Sequence, residues 1–293
     1  MEDGVIQSMD VYGSISAVIA SSTNLVETAR QQHRLSFTAT AALGRALTAA
    51  ALVAPVVAKR GQLSMKFQGN GPLGKVVVDA RANGKLRGYV ENPQVELPLN
   101  SLGNFDVGAA IGTTGYLHVS VDNGFGDLQT STVELVSGEI GEDVNRYLVN
   151  CHDAGSILIV GVHLSRKGVE AAGGMLVQLL PDHTEETICK LENNLASFGT
   201  FTFLMRRGMG LDEILRRGLQ GFELEEQMNQ RQMLSFDCGC SKEKFIQALK
   251  VLDKEELVQM VNTGEEAEGR CQFCNAVYHI PNDNLLEIVQ QAI

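Results

Sequence analysis

Four cysteines near the C-terminal end constrain this chain more than any other feature. Cys238 and Cys240 form a C-x-C in FDCGCSKEKF, and Cys271 and Cys274 form a C-x-x-C in GRCQFCNAVYH, with 30 residues between the pairs. Two close pairs of soft thiolates suit one tetrahedral metal ion, each pair filling two neighbouring corners. The same closeness lets each pair close on itself as a disulfide once a metal leaves. C-x-C departs from the commonest ligand spacing but remains compatible with one ion. Asn275, directly after the C-x-x-C, tolerates the left-handed backbone that a metal knuckle uses to turn N–H groups towards sulfur. The last 63 residues, 231–293, are too few to bury much apolar surface and need a staple. Zinc on four thiolates would contribute about 10–16 kcal/mol of folding free energy.

Other readings of the cysteines compete. A thioredoxin-like dithiol needs a C-x-x-C at a helix N-terminus in a βαβ frame, and neither pair has one. Four merely buried thiols would not fall into two tight pairs by chance. His279, five residues after Cys274, could replace one sulfur, but four cysteines already complete a set. Cys151 falls at helical spacing after Val144, Tyr147 and Leu148, so it reads as a small buried hydrophobe. Cys189 has no evident partner. No Ser/His/Asp or paired-carboxylate arrangement stands out, and the six histidines are scattered.

Composition narrows the classes. The chain has 293 residues, 44% hydrophobic, with a net charge of -11 and no Trp. Such an acidic chain repels phosphate backbones, and few aromatics disfavour base stacking. Within 231–293, six Lys and Arg face ten Asp and Glu, which argues against a zinc ribbon on nucleic acid. MEDGVIQSMD has no basic or apolar signal region. The apolar run Ala46–Ala58 is 13 residues long with Pro55 inside it, short of the ~20 needed to span a bilayer. A cytoplasmic protein without a membrane partner is expected, and there clustered cysteines serve as metal ligands or redox sensors.

The order of elements predicts an α+β fold. Ser14–Ala20 alternates as a strand. Ser22 or Thr23 would cap a helix to about Arg34, and Ser36 a second to about Ala58, which Pro55 would end early or kink. Strands are expected at 62–68, 75–82, 85–91, 115–122, 128–136, 156–164 and 173–180, with Asn83-Gly84 as a type I′ turn. Gly69-Asn70-Gly71-Pro72-Leu73-Gly74 spells G-x-G-x-x-G, but a second β-rich run follows it, so it reads as a hairpin loop rather than a nucleotide site. A helix is expected at 139–151. Strands in runs rather than strict alternation with helices favour a mostly antiparallel sheet packed with helices. Asp182 and Glu185 look like a capping box. Residues 182–230 read as a glycine-rich helical linker whose Phe198, Phe201, Phe203 and Phe222 pack on the core. Helices follow Ser241, Asp253 (with Glu256 as a second box) and Pro281. The expected domains are 1–181, an α+β core; 182–230, the linker; and 231–293, a four-cysteine zinc-binding unit.

These residues suggest a redox switch. Thiolates are what oxidants attack. Local disulfides restrain the chain far less than a metal joining both pairs, so oxidation would open the small unit and expose apolar surface. CGC at 238–240 followed by SKEKF, CQFCNAVYH at 271–279 and AAGGMLVQLLP at 171–181 resemble the redox-regulated 33-kilodalton chaperonin family, heat shock protein 33, along essentially the whole chain. The resemblance implies a non-enzymatic, ATP-independent holding chaperone of the bacterial cytosol that binds unfolded proteins. It implies zinc on Cys238, Cys240, Cys271 and Cys274 when reduced, disulfides Cys238–Cys240 and Cys271–Cys274 when oxidised, and a homodimer. The rival reading is a thiol–disulfide oxidoreductase using Cys271 and Cys274.

Overall fold

The structure, a computed structural model, describes residues 2–152, 155–225, 231–264 and 266–291. It divides into two units, Met1–Asp237 and Cys238–Ile293. The strands of the first are β1 (Gly4–Met9), β2 (Ile15–Ser21), β3 (Gln62–Gly69), β4 (Lys75–Arg81), β5 (Lys85–Val90), β6 (Gly115–Asp122), β7 (Leu128–Glu134), β8 (Ser156–Ser165), β9 (Gly168–Leu179), β10 (Gln232–Met233) and β11 (Ser235–Phe236). Its helices are α1 (Thr23–His33), α2 (Phe37–Val57), α3 (Val107–Ile111), α4 (Gly141–His152), α5 (Glu185–Ala196), α6 (Phe201–Arg206) and α7 (Leu211–Gly218).

The fold is α+β, as the pattern predicts, with the strands divided between two sheets. One runs β10-β1-β2-β9-β8 and the other β11-β5-β4-β3-β6-β7. Every pairing is antiparallel except β11 with β5. Helix α2 packs against β8, β9 and β2 of one sheet and β3, β4 and β5 of the other. A helix between two sheets is buried all round, which explains an Ala-rich sequence without a polar face. It is long and apolar enough to cross a membrane, yet it lies largely buried in this core. Ser36 caps it, accepting from the Ala39 N–H at 3.1 Å. Pro55 does not end it early: the helix continues to Val57, because a proline in the last turn costs only one hydrogen bond.

The outer face of the first sheet carries a second apolar cluster. Ile15, Ala17 and Ile19 of β2 share one face, and there they meet Phe198, Phe201, Leu204 and Ile214. The linker helices therefore cover apolar sheet. Phe198 and Phe201 are fully buried, whereas Phe203 is exposed. The expected Asp182/Glu185 box is replaced by Thr184 and Thr187, each accepting from the other's backbone N–H. The helix starts later because Leu180–His183 first makes a turn.

Other local expectations shift for physical reasons. The G-x-G-x-x-G loop joins β3 to β4. The Gly71 and Leu73 N–H groups donate to the carbonyls of Ile111 and Ala110 at 2.8 and 2.9 Å, so they are taken by protein. A Cβ at Gly71 would sit 2.3 Å from the Ala110 carbonyl, which explains that glycine. The β4–β5 turn is not type I′: only Gly84 has positive φ, in a three-residue loop of 82–84. Ser22 does not cap α1 through its hydroxyl, which bonds Thr48 at 2.7 Å; the Asp3 carboxylate accepts from the Leu25 N–H instead. β1 was not expected, because GVIQSM is buried on both faces and does not alternate.

The second unit holds α8 (Lys242–Leu249), α9 (Lys254–Asn262), a hairpin of β12 (Ala267–Arg270) and β13 (Val277–Ile280), and α10 (Asn282–Gln291). Ser241 caps α8, but Asp253 sits at the start of α9 without a side-chain cap bond. Its buried apolar side chains are Leu257, Ile280, Leu285 and Ile288 among the described residues.

Asp143 anchors the entry to α4. Its fully buried carboxylate accepts from the backbone N–H groups of Val136, Ser137, Gly138 and Ile140 at 2.7, 3.2, 3.3 and 3.1 Å. Asp143→Ala strands these donors and is expected to cost about 3 kcal/mol. Urea denaturation should show the midpoint falling at unchanged slope.

Candidate metal centre

Two short loops build the site. In the first, Gly239 separates the two cysteines at φ 61°, and Ser241 then opens α8 by accepting from the Lys244 N–H. The Lys244 ammonium returns to the Gly239 carbonyl. In the second, Cys271–Ala276 turns between β12 and β13. The Cys271 N–H donates to the Ala276 carbonyl at 2.9 Å and the Asn275 N–H to the Cys271 carbonyl at 2.8 Å. Asn275 adopts φ 62°, the left-handed conformation its position predicts. The C-x-x-C thus lies on a hairpin turn, not at a helix N-terminus.

The four Sγ atoms of Cys238, Cys240, Cys271 and Cys274 all lie within 4.8 Å of one another. Cys238 and Cys271 are 3.4 Å apart, and Cys240 and Cys274 3.3 Å. With metal–sulfur bonds of about 2.3 Å, the edge of a tetrahedron is roughly 3.8 Å. The donor set therefore fits one tetrahedral thiolate-loving ion. All six cysteines are free thiols here. Cys238 and Cys271 are buried; Cys240 and Cys274 are half-buried.

The thiols differ in acidity. Burial and the hydrogen bond with Cys271 push Cys238 up to about 11. Burial likewise pushes Cys274 up. Burial also opposes the Cys240 thiolate, but hydrogen bonds from Tyr278 and the other thiols outweigh it and bring Cys240 down to about 7. Four adjacent sulfurs cannot all be negative without a compensating cation, and a divalent ion meets that need.

Tyr278 was not singled out from the sequence. Its Oη lies 3.1 Å from the Cys240 Sγ, and its ring is 5.0 Å from that of Phe245. The Phe245 ring also occupies the space that a Cβ at Gly269 would need. A signal was present: Tyr278 follows Cys274 by four residues on a strand leaving the turn. His279 does not join the sulfurs; it is exposed and its Nδ1 faces Glu266 at 3.1 Å. Cys151 is exposed, not buried as its spacing suggested. Val144, Tyr147 and Leu148 carry the buried face of α4, and Cys151 lies in the final turn beyond it. Cys189 is also exposed.

The family model for Hsp33 protein matches residues 3–281. The chain belongs to the Hsp33 family. A "33 kDa chaperonin" of Picosynechococcus is 44% identical over 294 residues, covering 99% of this chain and 98% of the relative. One from Synechocystis is 44% identical over 292 residues, covering 99% and 96%. The crystal structure of the Thermotoga maritima 33 kDa chaperonin, a heat shock protein 33 homologue, superposes with a TM-score of 0.90 at 36% identity, covering 98% of both chains. The chain is thus an Hsp33-family chaperone with a four-cysteine cluster able to hold a metal ion.

Tyr278→Phe removes a hydrogen bond to sulfur while keeping the ring on Phe245. Outer-sphere partners of this kind tune affinity by about 10–100-fold. Chelator competition should show Tyr278→Phe weakening metal binding by about tenfold with stoichiometry kept, whereas Cys271→Ser should lose stoichiometric binding.

Proposed function

We propose that this chain is a redox-switched, ATP-independent holding chaperone, a binding protein rather than an enzyme. The convergence of four sulfurs from two distant loops carries this reading. Cys238, Cys240, Cys271 and Cys274 would hold zinc in the reduced chain. Bound zinc would keep them as thiolates and join the two loops across 30 residues.

Oxidation then converts Cys238 with Cys240, and Cys271 with Cys274, into disulfides. Each disulfide takes two electrons from its sulfur pair; hydrogen peroxide accepts them and, with two protons, leaves as two waters. Both products are local loops, so the long-range tie is gone and the small apolar core of the second unit no longer suffices. The segment leading into it loosens next. Residues 182–225 cover Ile15, Ala17, Ile19 and Met175 of the first sheet, and uncovering such a face supplies a surface for unfolded proteins.

In this reading residues 1–181 are the core, 182–230 the releasable linker and 231–293 the sensor. The family likeness further supports a cytoplasmic homodimer, and the acidic charge supports clients that are unfolded proteins rather than nucleic acids.

The test combines two readouts on one sample. Reduced chain should carry one zinc per protomer and leave an unfolding reporter enzyme to aggregate. Peroxide should release the zinc, give peptides linked Cys238–Cys240 and Cys271–Cys274 by mass spectrometry, and suppress aggregation. Zinc retained under full activity, or zinc lost with no gain in suppression, overturns the proposal. Turnover of a small dithiol that depends on Cys271 and Cys274 would favour the oxidoreductase instead.

A further inference from the structure

Residues 231–237 bridge the two sheets of the first unit. Gln232 and Met233 pair antiparallel with Val5 and Gly4, at the edge strand β1. Two residues on, Ser235 and Phe236 pair in parallel with Lys85 and Leu86, at the edge strand β5. One extended segment therefore covers an edge of each sheet and changes sheet at Leu234. The Ser235 N–H donates to the Gly84 carbonyl at 3.0 Å and the Asp237 N–H to Leu86 at 2.7 Å. Burial alternates along it: Leu234 is buried and Gln232 and Phe236 half-buried, while Met233 and Ser235 are exposed.

Beyond its strand pairing the strap is held by a few bonds: the Arg231 guanidinium donates to the Glu2 carbonyl, the Gln232 amide to the Ala82 carbonyl at 2.6 Å, and the Leu234 N–H to the Asp3 carbonyl at 3.4 Å. A cavity of about 310 Å³ is lined by Val5, Ala54 and Leu86, and another of about 350 Å³ by Asp3 and Leu25. Leu234 lines both. Leu234 itself is buried in the main apolar cluster and Phe236 packs against that cluster, so these two side chains are the strap's apolar anchors. Pairing extends over only two residues at each edge. At its end the Asp237 carboxylate meets the Lys85 ammonium at 2.7 Å in a half-exposed pair, and the next residue is Cys238.

We propose that residues 231–237 are an intramolecular stand-in for a client: when the cysteine cluster opens they leave, and the edges of β1 and β5 accept an extended segment of an unfolded protein in their place. This deepens the holding reading and rests on it. The occupant follows from what sits there now. It is an extended stretch with apolar side chains two residues apart, as Leu234 and Phe236 are, and it gains main-chain hydrogen bonds at the edges without a fixed sequence. The cavities beside Leu234 leave room for larger side chains than the strap supplies.

A staple tests it. Lys85 and Ser235 are register partners on β5 and β11. In Lys85→Cys/Ser235→Cys, oxidation should close a disulfide that pins the strap while the cluster still oxidises and zinc still leaves. Suppression of urea-unfolded luciferase aggregation should fall at least fivefold relative to oxidised wild type. A second variant leaves the strap free and replaces exposed Lys59, on the rim of the first cavity, by the photocrosslinker p-benzoylphenylalanine. It should crosslink to luciferase only after oxidation. Full suppression by the stapled chain, or no oxidation-dependent crosslink, overturns the strap proposal and leaves the holding reading intact. Oxidised wild type without suppression overturns both. Should the stapled chain fail to fold, the Lys59 crosslink decides alone.

Discussion

Four sulfurs within 4.8 Å of one another bring together two loops that the chain separates by 30 residues, and one ion held by all four would tie them. The contacts of Phe245 with Tyr278 and Gly269 and of Tyr278 with Cys240 also act over that distance, and they cluster beside the sulfurs. Its buried apolar side chains among the described residues are few, and its hairpin and helices are closed by local bonds. A unit that depended mainly on one polyvalent contact would be switched by whatever removed that contact. Thiolates make the contact removable, since the state that binds metal is the state that reacts with oxidants.

The first unit is built on a different balance. Helix α2 between two sheets provides a core that needs no metal, and small residues let the layers approach. A Cβ on Gly44 would meet Val26 and Val162 at 2.7 and 2.8 Å, so α1, α2 and β8 converge where only glycine fits. Around this core lie outer layers: helices α5 to α7 over the outer face of one sheet, and the strap over an edge of each. A stable body whose covers could leave would let a protein expose apolar surface without unfolding completely, as the proposed function requires.

Much of the fold was legible because its physics is local. Ser36 and Ser241 sit just before helical runs and cap them through their hydroxyls, whereas Ser22 before α1 is claimed by Thr48. The loop at 69–74 is a hairpin because strand-forming residues flank it. Asn275 turns left-handed between two strands whose pairing was not anticipated. Where the structure departs from the local signal, the reason is also physical. Asp182 was outcompeted by Thr184, because a turn at Leu180–His183 delayed the helix. Cys151 kept the helical spacing of its neighbours but ran past the surface they bury against.

By itself the sequence determined the donor set, its spacing and the chemistry those sulfurs allow, since ligand type and loop length are written in consecutive residues. It also determined the class of fold, through periodicities that each segment carries alone. Tertiary structure decided that the strands form two sheets, that residues 231–237 bridge their edges, and that the Tyr278 hydroxyl reaches Cys240. These are contacts between segments far apart in the chain. Two-residue strands have no period of their own and exist only because an unpaired edge is there to receive them.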